Sequence, residues 1–187
     1  PRDLFITRMP QQYRDRAPRV VRGADGGDGW TWDNSPPVRT LGLEACAGRG
    51  IRLSGYKWEE ILPGNYDGAA HLKDMTDCGV DVAMLYPSVP LGSWSMGDDP
   101  YGLALMQTFN DWVIEDFCSV DPKRLIAQPM MPVNHGMDAL IAELDAKGKS
   151  FPPDSPRGLL AKNEMSSLEL AIRANPKWAE PQFKIAQ

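Results

Sequence analysis

The side chains of this sequence that could do chemistry are few and far apart. Histidine occurs twice, at His71 and His135, and cysteine three times, at Cys46, Cys78 and Cys118. A catalytic zinc takes at least three convergent His, Asp, Glu or Cys ligands. Three widely spaced cysteines supply neither a C-x-x-C metal knuckle nor a disulfide framework. They read as small apolar packing residues of a reduced compartment, the cytoplasm. Asp25 and Asp28 sit in a D-G-G-D-G run that lacks the closing Glu of an EF-hand, so a turn is expected there rather than a calcium loop. The adjacent carboxylates Glu59/Glu60, Asp98/Asp99 and Glu115/Asp116 point in different directions on a helix. They are expected to be solvated faces or caps, not acid–base pairs.

The better-placed candidates lie at the end of a strand. "GVDVAMLYPSVP", residues 79–90, reads as a short apolar strand stopping at a Tyr-Pro-Ser corner. In parallel α/β proteins the carboxyl ends of strands carry ligand sites. Tyr86 and Ser88 are therefore candidate walls of a substrate pocket, and Trp94 a candidate lid or aromatic wall. The plainer alternative is that Pro87 ends the strand, Ser88 caps a turn and Trp94 packs on the surface. A Ser88 nucleophile is rejected, because no His lies near it in sequence and no G-x-S-x-G elbow is present.

The elements that must hold these residues are readable from periodicity. Residues 1–22 look like an irregular surface segment or a short helix ending before Pro18. A hairpin is plausible around Trp30 and Trp32, a pair that could also serve as an oligomer contact. Residues 41–63 read as loop-like or weakly helical. "YDGAAHLKDMTDCG" places Ala69, Leu72 and Met75 on one helical face and stops at Gly79. "VDVAMLYP" follows as a strand of the sort buried on both faces. Asp99 and Pro100 start the next helix as N-cap and first helical residue, with Leu105, Phe109, Trp112, Val113 and Phe117 at helical period. "RLIAQPMMPV" is a further strand. Pro129 conflicts with an inner position, so a short, bulged or split strand is expected. A last helix carries Met137, Leu140, Ile141 and Leu144 on one side and ends at Gly148. Helices and strands in alternation predict an α/β fold with a parallel sheet.

Size and composition bound the rest. The 187 residues suffice for one domain or part of a larger one. A net charge of −5, with an isoelectric point near 5.0, argues against a nucleic-acid partner. No apolar run approaches the ~20 residues of a membrane span. The start, "PRDLFITRMP", lacks a signal-peptide layout and an initiator Met, so a processed chain or a fragment of a longer reading frame is expected.

Three stretches together resemble one family. "PRDLF" with "QQYRDRAPRVV", then "YDGAAHLKDMTDCGVDVAMLYPS", then "FNDWVIEDFCSVDPKRLIAQPMMPV" are similar, in collinear order, to the amidohydrolase-related metal-dependent hydrolases. That family includes aminocarboxymuconate-semialdehyde decarboxylase and related aromatic-acid decarboxylases. The resemblance runs from residue 1 to about residue 147. It implies a partial (β/α)8 TIM barrel: a complete one needs ~250 residues, so about three strands would be present. Residues 1–148 would form this part, with 23–65 an excursion, and 149–187 a Pro/Ser-rich linker and helical tail. It also implies a small carboxylate or aromatic-acid substrate and a divalent metal, zinc above others. The family's ligands would fall just before Pro1 and beyond the matched region, and neither His71 nor His135 is at a ligand position. The expectation is thus no catalytic residue, no metal ligand, no metal bound and no activity in this chain alone.

The tail, "LELAIRANPKWAEPQFKIAQ", resembles a tetratricopeptide-repeat junction, with Ala171, Pro176 and Ala179 at the usual positions, although an ordinary amphipathic hairpin would look the same. A non-enzymatic interaction module with a helical-repeat tail is the competing reading. Expected partners are a small-molecule substrate, no nucleic acid and no membrane. An open sheet edge would also favour a homo-oligomer.

Overall fold

The computed structural model describes residues 1–33, 35–37, 39–41, 54–88, 90 and 99–148. Trp94 and residues 149–187, with the proposed linker and tail, lie outside them. The chain divides into two compact units, one of residues 1–84 and 111–126, the other of 85–110 and 127–187.

In the first unit the amino-terminal segment is more ordered than its prolines and arginines suggest. Leu4–Arg8 forms a short helix, α1, that buries Leu4 and Phe5, while Met9 is fully enclosed just after it. Arg19–Arg22 (β1) and Asp28–Thr31 (β2) make the expected hairpin, and Arg39–Thr40 (β3) adds a third antiparallel strand. The 23–65 region is therefore sheet in part, not wholly irregular. Trp30 is buried, edge-on to Phe5 on one side and to Trp58 on the other, with centroids 6.3 and 6.1 Å away. An apolar ring in that position is core, which corrects the oligomer-contact reading for Trp30.

The turn between β1 and β2 explains its own acidic residues. Asp25 accepts from Gly27 N–H at 3.1 Å and from Gly55 N–H at 2.8 Å, the local bonding of an Asx turn. Asp28 is buried, with its carboxylate 2.7 Å from Arg22 Nε and accepting Trp58 N–H at 2.9 Å. It fastens the hairpin to the turn at Trp58–Glu60. Asp28→Ala should lower stability by about 1–2 kcal/mol in urea melts, because it strands a partly buried donor. A change below a few tenths would show that solvent replaces the bond.

Helix α2, Gly68–Asp77, starts at Asp67, whose side chain accepts Ala70 N–H, and ends at Gly79 in the left-handed region (φ 72°). Its buried residues are Gly68 and Met75, while Ala69 is exposed and Leu72 half-buried. The buried stripe is thus rotated toward Gly68 relative to the expected one. From Gly79 the chain runs into β4, Ala83–Leu85. Arg124 secures that connection by donating to the carbonyls of Val80 and Asp81, both at 2.8 Å, and to Thr76 Oγ1 at 3.1 Å.

Strand β4 pairs with β5, Leu125–Ala127. Ala83 N–H donates to the Arg124 carbonyl, and Gln128 N–H donates to the Leu85 carbonyl. Both bonds advance along the two strands in the same sense, which is a parallel ladder. Strand β5 stops before Pro129, and this resolves the proline conflict. Strand β4 departs from expectation: Val80, Val82 and Met84 are 41%, 52% and 51% exposed. Only one face of this segment is covered by described residues, so it is not buried on both faces.

Helix α3, Pro100–Trp112, links β4 to β5, and Asp99 accepts Tyr101 N–H at 2.8 Å as its cap. It continues through a π-helical turn, Val113–Phe117. Helix α4, Met137–Gly148, follows β5. The order β4–α3–β5–α4 is the βαβ alternation read from the sequence, and among the described residues it closes no barrel.

Candidate functional site

The segments that follow the carboxyl termini of β4 and β5 belong to the second unit. After β4 come Tyr86, 72% exposed, and Ser88, also exposed. Both stand at the position expected from sequence, and Trp94 lies outside the described residues. After β5 the chain runs through Gln128–Pro132, a tight turn at Val133–His135, and Gly136 (φ 86°) into α4. A positive φ reverses the chain there at no steric cost for glycine.

This second segment is held from behind by a buried polar network. Asn110, at the end of α3 and fully buried, donates through Nδ2 to the Met130 carbonyl at 2.8 Å. Its Oδ1 accepts Met130 N–H at 2.7 Å. The same Nδ2 donates to Glu143 Oε1 at 2.7 Å, and Lys147 Nζ lies 3.8 Å from that oxygen. One amide therefore pairs both backbone groups of Met130, as a neighbouring strand would, and anchors the segment to α4 as well. Neither Asn110 nor Glu143 stands out in the sequence. Glu143 shares its helix with apolar Leu140 and Ile141, both only half-buried, while the carboxylate is 3% exposed. A carboxylate so placed requires the partners it has.

The two histidines are used differently. His71, on α2 in the first unit, holds its Nδ1 2.8 Å from the Gly64 carbonyl and lies edge-on to Phe117 at 5.4 Å. It is half-buried packing rather than a helix-surface residue. His135, in the second unit, buries its Nε2 without a hydrogen-bond partner in the structure.

A metal fits poorly with what is described. Among the described residues no group of three or more His, Cys, Asp or Glu is arranged to hold an ion. Cys78 is exposed and Cys118 buried, and neither is in a disulfide. The paired carboxylates serve structure. Glu60 accepts Lys57 N–H at 2.7 Å, Glu59 faces Arg2 at 3.5 Å, and Glu115 and Asp116 face Arg8 at 3.8 and 2.6 Å. Among the described residues no helix is long and apolar enough to cross a membrane.

No protein-family model and no curated protein matches the chain. A solved structure does: an amidohydrolase from Mycobacterium avium subsp. paratuberculosis K-10 superposes with a TM-score of 0.56 at 17% identity, over 80% of this chain. The chain spans 44% of that protein's length. Likeness at this identity concerns the fold, and it places the described elements within an amidohydrolase-like α/β architecture.

Proposed function

We propose that this chain is part of a metal-dependent enzyme of the amidohydrolase superfamily, a hydrolase or non-oxidative decarboxylase of the kind that includes aminocarboxymuconate-semialdehyde decarboxylase. The supporting observation is the likeness in fold to a solved amidohydrolase across four-fifths of the chain. On this reading the fold is a partial TIM barrel, and its substrate is a small carboxylate or aromatic acid. Tyr86, Ser88 and Trp94 are the proposed pocket walls, at the strand ends where this architecture carries its chemistry. The compartment proposed is the cytoplasm.

The metal proposed for the class is a divalent ion, zinc first. The described residues do not assemble ligands for it, and no chemical step through a metal follows from them. We therefore expect the purified chain to bind less than a stoichiometric zinc by elemental analysis and to turn over no aromatic acid when zinc is added. One tightly held zinc per chain with decarboxylation or hydrolysis would overturn that expectation.

A second proposal concerns self-association. Val80, Val82 and Met84 leave an alternating apolar face open in the first unit, and a parallel pair of strands is ordinarily covered on both faces. Light scattering behind gel filtration should find a dimer or larger species that Val82→Lys shifts toward monomer. A wild-type chain that is monomeric at high micromolar concentration would refute this.

A further inference from the structure

A methionine side chain is apolar and flexible until its sulfur is oxidised, and the sulfoxide is polar. The exposure of each methionine therefore decides what its oxidation does. Among the described residues Met9, Met75, Met106 and Met130 are buried and Met131 and Met137 half-buried, whereas Met84 is 51% exposed. Met84 ends the alternating apolar row of Val80, Val82 and Met84, and alternate residues of an extended segment share a face. Its thioether is the one group in that row that a peroxide attacks. The backbone beneath the row is fixed. Arg124 donates to the carbonyls of Val80 and Asp81, and its own carbonyl accepts Ala83 N–H at 2.8 Å. A sulfoxide at the outward tip of Met84 is thus hydrated where it stands, with the strand still in place. The same change at Met106 or Met130, each 1% exposed, would set a polar oxygen in the core at a cost in stability. Met84 is accordingly the described methionine whose oxidation alters a surface and spares the fold.

We propose that Met84 is a reversible oxidation site that governs self-association through the face of Val80, Val82 and Met84. The governing role rests on the self-association proposed above, while the selective oxidation of Met84 stands without it. The oxidant is a peroxide. The thioether sulfur attacks one peroxide oxygen, an S–O bond forms and the O–O bond breaks. Sulfur is oxidised by two electrons, and with hydrogen peroxide the second oxygen leaves as water. Two thiols, acting through a sulfoxide reductase, return the thioether and are themselves oxidised to a disulfide with release of water. The valines beside Met84 carry no hydrogen-bond donor, so a second copy seated on this face would bury the sulfoxide oxygen unpartnered. Oxidised chains should therefore pair about tenfold or more weakly than reduced ones. By the same linkage, pairing shields Met84 from the oxidant.

The test treats the full chain, in a Cys78→Ser background that removes the exposed thiol, with hydrogen peroxide. Peptide mass spectrometry should find Met84 oxidised faster than Met106, Met130, Met131 and Met137, and more slowly as the chain concentration rises. Gel filtration with light scattering should then show the oxidised chain shifted toward monomer, and a methionine sulfoxide reductase with dithiothreitol should reverse the shift. Met84→Leu, which has no sulfur, should lose the peroxide response whatever its own strength of association. Met84→Gln, which carries a permanent polar tip, should resemble the oxidised chain. Three results would overturn the proposal: Met84 oxidised no faster than Met106 and Met130, a peroxide response that persists in Met84→Leu, or an oxidised chain that associates as before. A dimer left intact by oxidation at Met84 would count against this proposal alone. A chain that is monomeric with and without peroxide would sink the self-association reading and, with it, the governing role of Met84.

Discussion

Asn110→Ala should lower the unfolding free energy by about 3 kcal/mol or more, the largest single effect expected from a polar residue in this chain. The side chain satisfies the Met130 carbonyl, the Met130 N–H and Glu143, all within the buried part of the second unit. Each partner left unpaired costs about 1–3 kcal/mol, and truncation leaves a cavity as well. Glu143 would keep only Lys147, at 3.8 Å, too far for a good hydrogen bond. Asn110→Asp retains the acceptor for Met130 N–H, but sets a second carboxylate against Glu143 and removes the donor. It should destabilise the chain at least as much as Ala at neutral pH. Urea unfolding followed by circular dichroism measures both variants. A loss under 1 kcal/mol for Asn110→Ala would mean that water enters and takes over the network.

Gly68→Ala carries the second large effect, and here two physical arguments predict opposite signs. Gly68 is the first residue of α2, has an ordinary helical backbone, and by intrinsic propensity would gain up to about 1 kcal/mol on becoming alanine. A methyl group there, however, would overlap the carbonyl oxygen of Phe117 and lie 2.9 Å from Val120 Cγ2. The colliding oxygen belongs to the backbone of the π-helical turn, which cannot swing aside as a side-chain tip can. Separating the two segments would also loosen the contact of His71 with Phe117. Overpacking of this kind costs about 1–3 kcal/mol, so sterics should win and the variant should be less stable. Equal or greater stability in urea would show that the close approach of α2 to that turn is wrong.

Much of the local structure was legible because it depends on short-range rules. Asp99 and Pro100 cap and start α3, and Gly79 ends α2 at positive φ, because the backbone groups they serve lie within a turn of them. The D-G-G-D-G run that begins at Asp25 declared a turn for the same reason. Likewise, Pro129 forced β5 to end early wherever that strand sits in the fold.

What the sequence concealed concerns partners distant along the chain. Glu143 finds its partner in Asn110, which lies far earlier in the sequence and is packed against it. Trp30 reads as a surface aromatic until Phe5 and Trp58 close over it from both sides. The apolar run at β4 reads as buried on both faces, because composition reports the burial a strand is suited to and not whether a covering layer is present. The histidines, too, are indistinguishable by spacing. Packing alone ties His71 to the Gly64 carbonyl and leaves the Nε2 of His135 enclosed without a partner.

By itself, then, the sequence determined an alternation of helices and strands and named the strand end before Tyr86 and Ser88. Periodicity and turn chemistry act within a few residues, and that information is sufficient for them. Only the tertiary structure decided which face of each element is covered and which polar groups are spent on holding the fold. Those outcomes depend on contacts between segments tens of residues apart, and no local pattern encodes them.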